Sequence, residues 1–191
     1  MNIFVLDNDP ILAAQLQCDK HVVKMIVESA QMLSTTHRML DGNEIRKPSK
    51  SGKTTVKYYQ LEDDREDLLY KAVHFNHPCT VWTRESCCNY SWHYEHFIAL
   101  CDEYKYRYGR THSTDTKLRH LLKALPQNIN RVGGMTPFKL AMKSNPECVV
   151  NDLGGTNAVL SYQNFYKTKE SRFNMAWTKR EIPEWFINAE I

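Results

Sequence analysis

The chain has 191 residues, enough for one well-buried core and short for two. It is 42% hydrophobic and 25% charged, with ten Tyr, seven Phe and four Trp, which excludes disorder of the whole chain for want of core material. A formal net charge of +3 permits a nucleic-acid partner without arguing for one, so local clustering has to decide.

Residues Asn2 to Leu6 form a short apolar run, read as an extended lead-in, and Asp9-Pro10 reads as an N-cap followed by a first helical residue. From Ile11 to about Leu40 there is no Gly or Pro, and Leu12, Leu16, Val23, Ile26, Ala30 and Leu33 recur at helical spacing. The expectation is one long amphipathic helix stopped by Asp41-Gly42. Residues 42–55 read as a polar loop, Val56 to Val73 as a second helix, and Asn76-His77-Pro78 as the entry to a third that runs to Tyr108. A fourth helix is expected from Thr114 to Leu125 and a short one opened by Thr136-Pro137. Asn145-Pro146 and Gly154-Gly155 punctuate the chain before a last helix, Thr156 to Lys169. With no repeat and no linker, the pattern predicts a single all-α domain over 1–191, built on the long N-terminal helix and ending in a basic, aromatic tail, 171–191.

The six cysteines (Cys18, Cys79, Cys87, Cys88, Cys101, Cys148) form no CxxC pair, and nothing at the start reads as a signal peptide. Reduced thiols in a cytoplasm are the expectation. No apolar run approaches the roughly 20 residues needed to span a bilayer, so no membrane partner is expected.

The most informative polar residues lie on the first helix. His21, Lys24, Glu28, Gln31 and Thr35 follow steps of three and four and share one face. Lys24 reaches Glu28 at i+4, and His21 lies about 10 Å away along the axis. A carboxylate beside an amine and an imidazole suits glycosyl or proton transfer; the competing reading is a solvated surface face. The 42–57 stretch carries Arg46, Lys47, Lys50, Lys53 and Lys57 with few acids, as a phosphate-contacting loop or a merely solvated one would. Ser51-Gly52-Lys53-Thr54 is not a P-loop, because Lys47 stands where the upstream Gly must be. Neither His74, His77 and Cys79 nor His93 and His96 complete a four-ligand metal spacing, and no metal or other cofactor is expected. In the tail, cations alternate with aromatics, and Trp177, Lys179 and Arg180 form the best strip for stacking on bases and neutralising phosphates. Lys20, Asn76, His77 and Arg84 complete the set of candidate nucleic-acid contacts.

Asp19-Lys20-His21 followed by Glu28 resembles the phage pyrimidine-dimer DNA glycosylase (endonuclease V-like) family, where a D-x-H triplet precedes the catalytic glutamate at this spacing. A wider pattern in bacterial relatives is similar too, matched here by Asp19, Met25, Glu28, Gln31, Leu33, Asn76-His77-Pro78 and Cys101-Asp102-Glu103-Tyr104. The resemblance implies an all-α enzyme that expels a damaged or modified pyrimidine from DNA, with Glu28 as catalytic carboxylate and His21 against the substrate. The expected partner is duplex DNA with one nucleotide flipped from the stack.

The family's phage member attacks C1′ with the α-amine of a threonine exposed by removal of Met. Here the chain begins Met1-Asn2, where Met is expected to stay, and the lead-in to Asp19 is longer. The attacking group is therefore open among the α-amine of Met1, Lys24 and an activated water. An α-amine has the lower ordinary pKa, near 8 against about 10.4 for Lys, which ranks Met1 ahead of Lys24. The rival functional class is a non-catalytic nucleic-acid-binding or host-interaction protein, which needs no cleft around Glu28.

Overall fold

The computed structural model describes residues 1–187. Its helices are α1 (Pro10–Gln15), α2 (Asp19–Asp41), α3 (Arg65–Leu68), α4 (Pro78–Glu85), α5 (Cys87–Tyr108), α6 (Ser113–Leu118), α7 (Ala158–Lys167) and α8 (Glu184–Ile187). Between them lie two antiparallel hairpins, β1 (Asn43–Pro48) with β2 (Thr55–Gln60) and β3 (Val150–Asp152) with β4 (Gly155–Asn157). With 46% of residues helical and 10% in strands, the fold is mixed α and β, and the all-α expectation is wrong.

The core forms where α2, α4 and α5 pack together, with α1 laid on α5. Val22, Met25, Ile26, Met32 and Leu33 of α2 meet Trp82, Phe97 and Leu100 there. The lead-in Ile3-Phe4-Val5-Leu6 is fully part of this core.

Two departures from the expected elements, at Leu16–Cys18 and at Thr136, share one physical cause, the capture of backbone groups by distant side chains. The expected helix from Ile11 to Leu40 breaks at Leu16–Cys18. There the Trp177 indole donates to the Leu16 carbonyl, Arg107 donates to that of Gln15, and the Asp19 amide donates to Ala176. The expected helix from Pro78 to Tyr108 breaks at Ser86, which ends α4 in extended geometry and accepts the Asn89 amide as N-cap of α5. The expected second helix is instead strand β2 and the single turn α3. Thr55-Val56-Lys57-Tyr58-Tyr59 is a β-branched and aromatic run, and the turn before it places Gly52 at φ 71°. The fourth helix stops at Leu118 and continues as turns, and Thr136-Pro137 opens no helix. Thr136 is held instead by Asn89, Glu85 and Trp82. The last helix starts two residues later than expected, at Ala158, because Thr156 belongs to β4.

Arg38 fastens the first hairpin to α2. It is 1% exposed and donates to the carbonyls of Tyr59, Glu66, Leu69 and Tyr70 and to the Glu66 carboxylate. Gly42 ends α2 beside it; a Cβ there would stand 2.6 Å from the Arg38 carbonyl oxygen, so the close approach of helix and hairpin demands glycine.

Candidate active site

Asn2 organises the N-terminus. Its side chain accepts the Phe4 amide and donates to the Ala141 carbonyl, which bends the chain and holds Phe4 at φ 56°. Gln17 and Gln163 take the carbonyls of Ile3 and Leu6. A terminus that would ordinarily fray is thus pinned against α2. The α-amine of Met1 stands 3.7 Å from Glu28 Oε2, and the Asn2 amide donates to the same oxygen at 2.9 Å. Lys24 Nζ lies 3.3 Å from the other carboxylate oxygen.

The polar face of α2 is not a solvated one. The Glu28 side chain is 12% exposed and His21 is buried; Lys24, at 64%, alone of the three reaches water freely. These groups line a cavity of about 250 Å³ closed by Phe4, Phe165, Phe173, Lys169 and Arg172.

His21 is stacked on Phe4 with ring centroids 4.7 Å apart. The Cys18 amide donates to the Tyr166 hydroxyl oxygen, and that oxygen lies 2.8 Å from His21 Nδ1. A Tyr166 proton given to Nδ1 leaves the neutral ring as the Nε2–H tautomer, which offers the cavity a donor. Burial, then the charges of Lys24 and Lys169, bring the His21 pKa down to about 4, so the ring is neutral at pH 7.

The rest of the resemblance pattern does structural work. Asp19 accepts both the amide and the hydroxyl of Thr178 and pairs with Arg107. Burial pushes its carboxyl up, but those partners outweigh it and hold the pKa below the usual value. Glu103 takes Arg107 and Arg180, and Asp102 takes Arg119. Thr35 exchanges hydrogen bonds with the Val73 backbone. His77 caps α4 by accepting the Cys79 amide. Burial, then the Met1 α-amine and His74, lower its pKa. It lines an adjoining groove that shares Ala141 with the cavity. Asn76 is exposed and does not line the cavity.

The candidate nucleic-acid contacts scatter. Arg46 and Lys50 are exposed on the β1–β2 hairpin, and Lys47 covers the Tyr58 ring at 3.8 Å. Lys20 lies over Phe173 at the cavity rim. Arg84 donates to the Phe75 carbonyl. The tail strip is a correction. Trp177 is 6% exposed with its indole N–H committed to Leu16, Lys179 donates to the Tyr106 carbonyl, and Arg180 pairs with Glu103, so this strip offers no stacking face. Residues 188–191 of the tail lie outside the described residues.

Sequence reasoning missed Asn2, Phe4, Tyr166 and Lys169, and it placed Arg172 in the basic, aromatic tail rather than on this cavity. One signal was there to read: Phe165 and Lys169 stand at i, i+4, the spacing at which an ammonium covers a ring. Among the described residues no group of three or more His, Cys, Asp or Glu is placed to hold a metal ion, and no helix is long and apolar enough to cross a membrane.

Neither a known protein family, nor a curated protein, nor a solved structure matches the chain.

Proposed function

We propose that the chain is a DNA N-glycosylase acting on a damaged or modified pyrimidine, with the α-amine of Met1 as nucleophile. One observation carries the reading. A free amine is brought back, across 26 residues of chain from Asn2 to Glu28, to stand against a largely buried carboxylate inside a cavity. That juxtaposition costs chain entropy and desolvation, and it sets the amine on the cavity wall beside Glu28.

The chemistry follows from the parts. Glu28 takes a proton from the ammonium, and the amine nitrogen attacks C1′. The glycosidic bond breaks, and the base leaves with the bonding pair and is protonated. The sugar ring then opens, O4′ becoming a hydroxyl and C1′ an imine to Met1. Glu28 hands its proton to the departing base, the carboxylate so restored stabilises the positive charge on C1′, and the His21 Nε2–H donates to a substrate oxygen. Water hydrolyses the imine, or elimination at the neighbouring carbon cleaves the strand as an AP lyase would. A cavity of about 250 Å³ is smaller than the ~300–1,000 Å³ of sites for drug-sized ligands, and it suits one flipped pyrimidine nucleotide rather than a cross-linked pair.

The test is base release from oligonucleotides carrying modified pyrimidines, with borohydride added to trap the imine. Glu28→Gln should bind DNA as the parent does yet release base about 10²-fold more slowly, close to 3 kcal/mol of transition-state stabilisation. The trapped adduct should map to residues 1–9. An adduct on Lys24 or none at all despite base release would overturn the assignment of Met1, and near-normal turnover of Glu28→Gln would overturn the reading as a whole.

A further inference from the structure

The buried cations of this molecule come with carboxylates, with one exception. Arg38 has Glu66, and Arg107 has Glu103 and Asp19. Lys169 is largely enclosed too, at 7% exposed, yet no carboxylate lies within 4 Å of its Nζ among the described residues. The ammonium rests on the Phe165 ring, 3.4 Å from its centroid, and forms part of the cavity wall. An ammonium taken from water without a counter-ion is costly, and a ring face returns only part of that cost. Arg172 lines the same wall and Lys20 sits at its rim over Phe173. Opposite them stands Glu28, already matched by the Met1 amine and Lys24. The cavity thus has a wall with surplus positive charge and nothing among the described residues to neutralise it.

We infer that Lys169, with Arg172, is the phosphate-binding subsite of this cavity, and that it holds the phosphate of the nucleotide whose C1′ faces Glu28. The anion site stands on its own; only its assignment to a nucleotide rests on the glycosylase reading. A phosphate on this wall completes the missing ion pair. It also fixes the sugar against Met1 through a group that does not change during the reaction, so binding energy is available for positioning. Lys169 is suited to a bound anion more than to attack on carbon, because the amine opposed to Glu28 belongs to Met1 and Lys169 lies across the cavity on its ring.

The ionisation of Lys169 makes the idea measurable. Burial, then the charge of Arg172, bring its pKa down to about 8, and Cys148 pulls it partly back. His21 and Lys24 of α2 also face it across the cavity, with Glu28 and the Met1 amine beyond. The subsite is therefore charged at pH 7 and loses its charge as pH rises through 8.

Calorimetric titration of the full chain with inorganic phosphate, a deoxypyrimidine 5′-monophosphate and a short single-stranded oligonucleotide tests this. Phosphate affinity should fall about tenfold between pH 7 and pH 9.5. Lys169→Met, whose thioether can still cover Phe165, should lose about tenfold at pH 7. Lys169→Arg should keep the affinity and abolish the loss at high pH, a rescue that titration of the Met1 amine cannot mimic. Tighter binding of the monophosphate identifies the source as a free nucleotide, and tighter binding of the oligonucleotide identifies it as a DNA phosphodiester; both support the subsite. Failure of the folded parent to bind phosphate, or undiminished binding by Lys169→Met, overturns it. Glu28→Gln should still bind phosphate, so a failed glycosylase reading leaves this result untouched and is told apart from it.

Discussion

The Tyr166 hydroxyl has one proton to give and two neighbours that decide where it goes. The Cys18 amide can only donate, and a proton given to His21 Nδ1 turns the ring's Nε2–H to the cavity. Tyr166→Phe removes both partners at once. It should cost about 1–3 kcal/mol, since the Cys18 amide is left buried without an acceptor. It should also release His21 into a mixture of tautomers, visible in the ¹⁵N shifts of its ring. A melting temperature and tautomer unchanged from the parent would mean Tyr166 does not set the ring. Part of this site could be read from the chain alone. Steps of three and four put His21, Lys24 and Glu28 on one face, but spacing says nothing about what covers that face. Here the cover comes from Phe4, Phe165 and Phe173, two of which lie more than 130 residues away in sequence. The return of the Met1 amine to Glu28 depends on a bend made by the Asn2 side chain, which no periodicity reports.

At the level of elements, helix existence was the legible part and helix continuity was not. Pro10 after Asp9 and Pro78 after His77 mark helix starts through local chemistry, and both hold. The break at Leu16–Cys18 is made by tertiary partners and local chemistry cannot foretell it, whereas Ser86 makes its break locally, as the N-cap of α5. The β1–β2 hairpin was hidden for another reason: half of β1 is charged and β2 lies mostly exposed, so the alternation of a half-buried sheet never shows. That charge has a cost. Arg46 and Lys57 stand directly across from one another, which disfavours the pairing, and only Glu44 beside Lys57 relieves it. A hairpin that tolerates facing cations, with Lys50 and Lys53 on its exposed turn, suits a phosphate backbone. Under the glycosylase reading, neutralising Arg46, Lys47 and Lys50 together should flatten the plot of log affinity for DNA against log salt by about 2–3 units, with the preferred base unchanged. An unchanged slope would leave the hairpin merely solvated.

Across the whole molecule, buried imidazoles recur with the same bonding logic. His21 Nδ1 accepts from Tyr166, His37 Nδ1 accepts from Arg65, and His96 Nε2 accepts from Gln17 while its Nδ1–H donates to the Pro10 carbonyl. In each ring one nitrogen is occupied by a donor, so a second proton has nowhere to go without breaking that bond. Burial is the first cause in all three, and it brings each pKa down to about 4. The unfolded chain titrates its histidines near 6.5. Above pH 7 neither state is protonated at these rings and they leave stability untouched. As pH falls below about 6.5, the unfolded chain takes up protons that the fold refuses, and stability is withdrawn until about pH 4. Each ring can remove up to about 3 kcal/mol over that window, so together they threaten much of the 5–15 kcal/mol that holds an ordinary domain. Urea unfolding between pH 8 and pH 4 should show a plateau above pH 7, a steep loss between pH 6 and pH 4.5, and an uptake of about four protons on unfolding near pH 5, the fourth from the fully buried His93, whose pKa burial also pushes well down. His37→Gln should reduce that uptake by about one. The carboxylates whose pKa values are depressed, Asp19 and Asp41 among them, contribute their own loss only at lower pH, as each is protonated on approach to its folded pKa. A stability curve flat down to pH 4.5 would show that these rings carry protons in the fold and that the bonding assigned to them is wrong.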